Sequence, residues 1–143
     1  MGLFDWLFEK EAERAKRVFI SFAIKDSVYR DHLVDQARNN KSPFEFMDMS
    51  VKRPWKESEW KKKCRTKIKR SDAIIALLSK NTWHAGGARW EMKCAIEEKK
   101  PIIGMHIKKN DKRAIPPELK RKKIIIWSWP NIERFVNKVN INS

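Results

Sequence analysis

Glycine is scarce in this chain, with four residues among 143, at positions 2, 86, 87 and 104. That leaves no G-x-x-x-x-G-K-[ST] and no G-x-G-x-x-G, so the glycine-rich loops that cradle nucleotide phosphates with backbone N–H groups are excluded. Cysteine is scarcer still. Cys64 and Cys94 are the only two, each inside a lysine-rich helical pattern, which argues against a disulfide scaffold and for a reducing, cytoplasmic compartment. His32, His84 and His106 are the only histidines and show no metal-ligand spacing, so no metal is expected. No apolar run approaches the roughly 20 residues of a membrane-spanning helix. Acids are short: 18 Asp and Glu face 33 Lys and Arg.

What is present describes one globular domain. Hydrophobic residues make up 41% and charged residues 36% of the chain, enough for a real core at this length. The net charge of +15 is uneven. Residues 52–70 hold ten cations against two acids, and residues 108–123 hold eight against two, which leaves the rest near neutral. At the N-terminus, Leu3, Phe4, Leu7 and Phe8 fall on one helical face. This stretch lacks the features of a secretory signal, and Gly2 fails the myristoylation pattern because Trp6 stands where Ser or Thr is required. Residues 1–16 are therefore expected to form an amphipathic helical extension covering the domain or a sister subunit, with a membrane surface as the alternative.

From residue 17 onward, short apolar runs alternate with amphipathic stretches. Residues 18–23, 44–50, 73–79, 101–107 and 122–129 read as strands. Helices are expected from about Asp26, over 57–70, from about Gly87 to Lys99, and from Pro130. In the first helix Val28, Tyr29, His32, Leu33, Gln36 and Ala37 form the expected inward stripe. In the second, the seam narrows to Trp60, Cys64 and Ile68. Such alternation predicts an α/β fold, a flavodoxin-like doubly wound five-stranded parallel sheet in order 2-1-3-4-5. Ligands bind such sheets outside the carboxyl ends of the strands, near the switch point, so the loops beginning at Ala23, Ser50 and Ser79 matter most. A receiver-type phosphoacceptor is excluded, because Ala23 and Ser79 stand where its acids are needed.

One segment is more specific. Ser71-Asp72-Ala73-Ile74-Ile75-Ala76-Leu77-Leu78-Ser79-Lys80-Asn81-Thr82-Trp83, then Arg89-Trp90-Glu91-Met92 and Lys100-Pro101-Ile102-Ile103-Gly104, resembles a TIR domain. The closer resemblance is to the bacterial TIR-like subgroup of Thoeris antiphage systems, whose first strand is similar to Arg17-Val18-Phe19-Ile20-Ser21-Phe22 with Asp26. It covers residues 16 to about 139, so residues 17–143 are taken as the TIR-like domain. The resemblance implies cleavage of the nicotinamide–ribose bond of NAD, which is substrate and not cofactor, with Glu91 matching the family's essential glutamate. It also implies self-association through TIR surfaces and a cyclic or modified ADP-ribose signal that reaches a separate effector.

The position of Glu91 is consistent with that role. Ala88, Met92, Ala95 and Ile96 form the expected buried stripe of its helix, and Glu91 flanks them near the positive end of the helix dipole. An ordinary first-turn glutamate would gain from the same dipole, and Glu98 is the next carboxylate along nearly the same line. Ser21, Phe22 and Asp26 are expected to line a substrate pocket after the first strand, although Phe22 suits the core and Asp26 suits a helix cap equally well. Asn81 and Trp83 are expected after the third strand. Lys52, Arg53 and Trp55 are candidates for assembly or phosphate contacts. The chain departs from the common TIR pattern where Gly86-Gly87-Ala88-Arg89 fills the interval usually holding Trp-Cys or Trp-Val. Two other readings stand beside the enzyme: a catalytically silent self-association module, and a nucleic-acid binder using the two basic segments. The last ranks third.

Overall fold

The computed structural model describes residues 14–42, 44–47, 56–111 and 115–141. Five parallel strands, β1 (Lys16–Ser21), β2 (Phe44–Met47), β3 (Ala73–Leu78), β4 (Ile102–His106) and β5 (Ile124–Ile126), form one sheet in the order β2-β1-β3-β4-β5. All four pairings are parallel; Phe19 stands opposite Ile74, and Ile75 opposite Ile103. β3 occupies the centre, and all six of its residues are buried. A strand covered on both faces has no polar side to present, hence its unbroken AIIALL run.

The helices are α1 (Ser27–Asn39), α2 (Glu57–Arg70), α3 (Gly86–Glu97) and α4 (Trp129–Asn137). Alternate residues of β3 divide the core between them. Ile74, Ala76 and Leu78 pack with Trp60, Cys64 and Ile68 of α2 and with Ala88 and Met92 of α3. Ile75 and Leu77 pack on the other face with Leu33 of α1 and with Ile132 and Val136 of α4. The sheet therefore separates an α2/α3 layer from an α1/α4 layer. Leu119, in a 3-10 turn at Pro117–Leu119, joins the α2/α3 side. Among the described residues, no helix is long and apolar enough to cross a membrane.

Several boundaries differ from those expected. β1 runs two residues earlier than its apolar stretch suggests, because Ala23 opens a 3-10 turn over Ile24–Asp26. That turn precedes α1, and Val28 and His32 face outward while Leu33 and Ala37 are buried. β5 is short because Ser128 leaves the sheet to cap α4, its hydroxyl accepting the Asn131 N–H at 3.2 Å. In α3, Ile96 is only partly buried, and Glu91 and Cys94 share the buried stripe. Residues 1–13 of the expected N-terminal helix and residues 48–50 of the expected second strand lie outside the described residues. Arg14, the first described residue, donates to both oxygens of the buried Asp72 at 2.9 and 3.0 Å, and the Arg17 N–H donates to the same carboxylate at 2.8 Å.

Candidate active site

The strand order reverses beside β1, and the loops leaving the carboxyl ends of β1 and β3 diverge there. Between them lies a cavity of about 310 Å³. The first loop supplies Ala23, Ile24 and Lys25; the second supplies Lys80, Asn81 and His84; the first turn of α3, with Ala85 before it, closes the remaining side.

Asp26 holds the two loops together. It is 2% exposed. Its Oδ2 accepts the Ser79 hydroxyl at 2.5 Å and its Oδ1 accepts the Asn81 amide at 2.8 Å. The Ser79 hydroxyl in turn accepts the Asn81 backbone N–H at 2.9 Å. Thr82 closes the second loop, accepting the Ser79 N–H at 2.8 Å. Asp26 makes no side-chain cap bond to α1, so its carboxylate serves the loops and not the helix. A charged acceptor whose donors are all provided rigidifies its surroundings.

Two cations, Lys25 and Lys80, line the cavity with His84, and no acid does among the described residues. The N-terminus of α3 also opens here: Ala85 offers no side-chain cap, and no acid sits in the first turn. Unpaired N–H groups at a helix start carry partial positive charge. A ligand bearing phosphates matches this lining.

Glu91 lies one helical turn beyond Ala88, where the cavity ends. Its side chain does not line the cavity, and the residue is 1% exposed. The Ser21 hydroxyl donates to Glu91 Oε1 at 3.0 Å and also approaches the Ala88 carbonyl at 3.1 Å. One hydroxyl proton serves one acceptor at a time, so Ser21 links the first turn of α3 to the carboxylate. On the other side the Cys64 thiol donates to Oε2 at 3.6 Å. The carboxylate thus lies off the cavity, beyond the Gly86, Gly87 and Ala88 that line it, with hydrogen bonds from β1 and α2.

The other expected residues fall in different places. Phe22 is buried in the α1/α4 core with the Arg30 guanidinium 5.5 Å from its ring centre. Asn81 lines the cavity; Trp83 does not, and stands 41% exposed. Arg89 lies over the Trp83 ring at 5.3 Å, donates to the Trp83 carbonyl at 3.3 Å, and pairs with Glu118 at 3.0 Å, so it ties that loop to the 3-10 turn before β5. Trp90 packs on Trp60 at 5.5 Å beneath Lys61 and Arg65. Glu98 pairs with Arg65 at 2.6 Å, and this hydrogen bond holds the Arg65 guanidinium above its ordinary pKa. Lys52, Arg53 and Trp55 lie outside the described residues. Ile24, Lys25, Lys80, His84 and Cys64 join the site with no motif in the sequence to mark them. The first four belong to the two loops that the topology marks, whereas Cys64 showed in sequence only as a seam residue.

A family model described as "Thoeris protein ThsB, TIR-like domain" matches residues 19–112. Among solved structures, the TIR domain of the Toll-related receptor TRR-2 from the lower metazoan Hydra magnipapillata is similar, with a TM-score of 0.58 at 14% identity over 85% of this chain and 91% of that one. No curated protein matches.

Proposed function

We propose, from the premise that this chain belongs to the Thoeris ThsB TIR-like family, that it is an NAD-cleaving enzyme of antiphage defence. It releases nicotinamide and makes a cyclic or otherwise modified ADP-ribose that signals to a separate effector. The reading is carried by one observation: a buried carboxylate, Glu91, one turn from a cavity with a cationic lining at the switch point of the sheet.

Nicotinamide leaves NAD as a neutral molecule while positive charge grows on the ribose, as in glycoside cleavage. A carboxylate aimed at the ribose stabilises that charge and holds its hydroxyls, and preorganised electrostatics of this kind is commonly the largest catalytic contribution. Lys25, Lys80 and the open end of α3 receive the diphosphate, and the Asp26 network keeps Asn81 in the cavity wall. The Gly86–Ala88 turn must then move aside for the sugar to meet Glu91. Two adjacent glycines make that turn cheap to unwind. This agrees with a resting state in which assembly or substrate completes the site.

Product chromatography after incubation with NAD tests the reading, at high protein concentration and with defence-activating extracts. Glu91→Gln should lower nicotinamide release by roughly 10²-fold or more while leaving the melting temperature near that of the parent. Release by Glu91→Gln at the parental rate would sink it. The sealed position of Glu91 also suits the second reading, a silent self-association module; that reading requires no turnover in any assembly state.

A further inference from the structure

The sheet sorts charge as well as apolar surface. α2 carries seven Lys and Arg against Glu57 and Glu59. By contrast α1 carries two cations and two acids, and α4 one of each. α3 is balanced too. A further cationic run, residues 120–123, is Lys-Arg-Lys-Lys, exposed, and follows the 3-10 turn whose Leu119 packs against the α2/α3 core. Residues 120–123 are thus flanked by Leu119 and Ile124, which both pack on the α2/α3 core, and the helices of the opposite layer carry no net charge.

We infer that the α2/α3 face is a docking surface for duplex nucleic acid, held through the phosphate backbone without base recognition. α2 is about 21 Å long, and its exposed residues Lys62, Thr66, Lys69 and Arg70 recur along one side. Lys62, Lys69 and Arg70 of that row span about 12 Å of a rigid helix, and cations held so match closely spaced phosphates. Single strands are bound by stacking bases on open aromatic rings, and among the described residues α2 and α3 offer none beside their cations. Trp60 is buried and Trp90 lies beneath Lys61 and Arg65. Anionic membranes favour helices that insert large apolar side chains. Among the described residues, the exposed large apolar side chains, Ile24, Val28, Trp83 and Ile115, all lie off α2 and α3. The cations invoked lie on α2, which contributes no residue to the cavity lining, so the inference stands without the enzymatic reading.

Fluorescence anisotropy of the full chain with a labelled duplex of about 24 base pairs tests it, from about 50 to about 200 mM salt. Binding at low salt should weaken with a log–log slope of roughly −4 or steeper. Lys62→Glu with Arg70→Glu should weaken binding by about tenfold or more and flatten the slope by about 2. Arg38→Glu with Arg134→Glu makes the same change of charge on exposed residues of the neutral layer, and should alter affinity by less than about threefold. Equal losses in the two variants would overturn the inference, because the attraction would then belong to net charge and not to a face. Tighter binding to a thymidine oligonucleotide, or to phosphatidylserine vesicles, would overturn it as well, as would no duplex binding at low salt. Nicotinamide release by the Lys62/Arg70 variant, assayed without nucleic acid, reads the cavity independently.

Discussion

Cys94 shows how burial decides the chemistry of a single group. It sits on α3 with no exposed surface, and burial pushes its thiol above the ordinary value of 9.0 to about 11, against a smaller opposing pull from Arg65. The folded chain therefore holds this proton more tightly than the unfolded chain. The resulting stabilisation is complete below about pH 9 and is lost as pH rises through about 11. Urea melts should show the parent losing about 2 kcal/mol relative to Cys94→Ala across that interval. An unchanging difference between the two proteins would mean the thiol titrates normally. The sequence marked Cys94 as one of two reduced cysteines and Glu91 as a flank of a stripe. Neither description reveals that both are sealed, because helical periodicity gives a direction and not the depth of what lies there.

At the scale of elements, the two ends of α3 are its weak points. Its first turn is Gly86-Gly87, and a Cβ at Gly86 would meet nothing within 4 Å. Gly86→Ala with Gly87→Ala favours the wound turn by up to about 1 kcal/mol per site. If that turn must open before Glu91 meets substrate, the melting temperature should rise while nicotinamide release falls severalfold. A rise in both would remove the turn from the reaction path. At the other end Lys99 holds φ at 57°, a left-handed position usually given to glycine. Lys99→Gly should stabilise the fold by about 1 kcal/mol in denaturant titration; destabilisation would mean that its side chain has a use. Both ends were legible to within two residues from their apolar pattern. The left-handed Lys99 was not, since only a chain poor in glycine forces a lysine into that role.

For the molecule as a whole, the excess of positive charge is a liability concentrated in one layer. Like charges on α2 repel one another, and salt screens that repulsion within about 10 Å at 0.1 M. The melting temperature should therefore climb by a few degrees between about 0.05 and about 0.5 M sodium chloride. Lys62→Glu with Arg70→Glu should melt higher than the parent at low salt and show a smaller climb. A melting temperature that falls with salt would show that ion pairs such as Arg65 with Glu98 and Arg89 with Glu118 outweigh the repulsion.

Composition and periodicity by themselves determined the fold class, the strand order and the two loops that border the cavity. Those features follow from local preference and from which residues avoid water, and both are written in short stretches of chain. Tertiary structure alone decided what faces what. Ser21 meets Glu91 across 70 residues of sequence, and Asp26 meets Ser79 across 53. It also brought Leu119 and Ile124, which flank Lys120 through Lys123, to the side of the sheet that carries α2. A side chain's partners depend on contacts that close only when the layers pack, and at that point an acid that could have faced water became enclosed between a hydroxyl and a thiol.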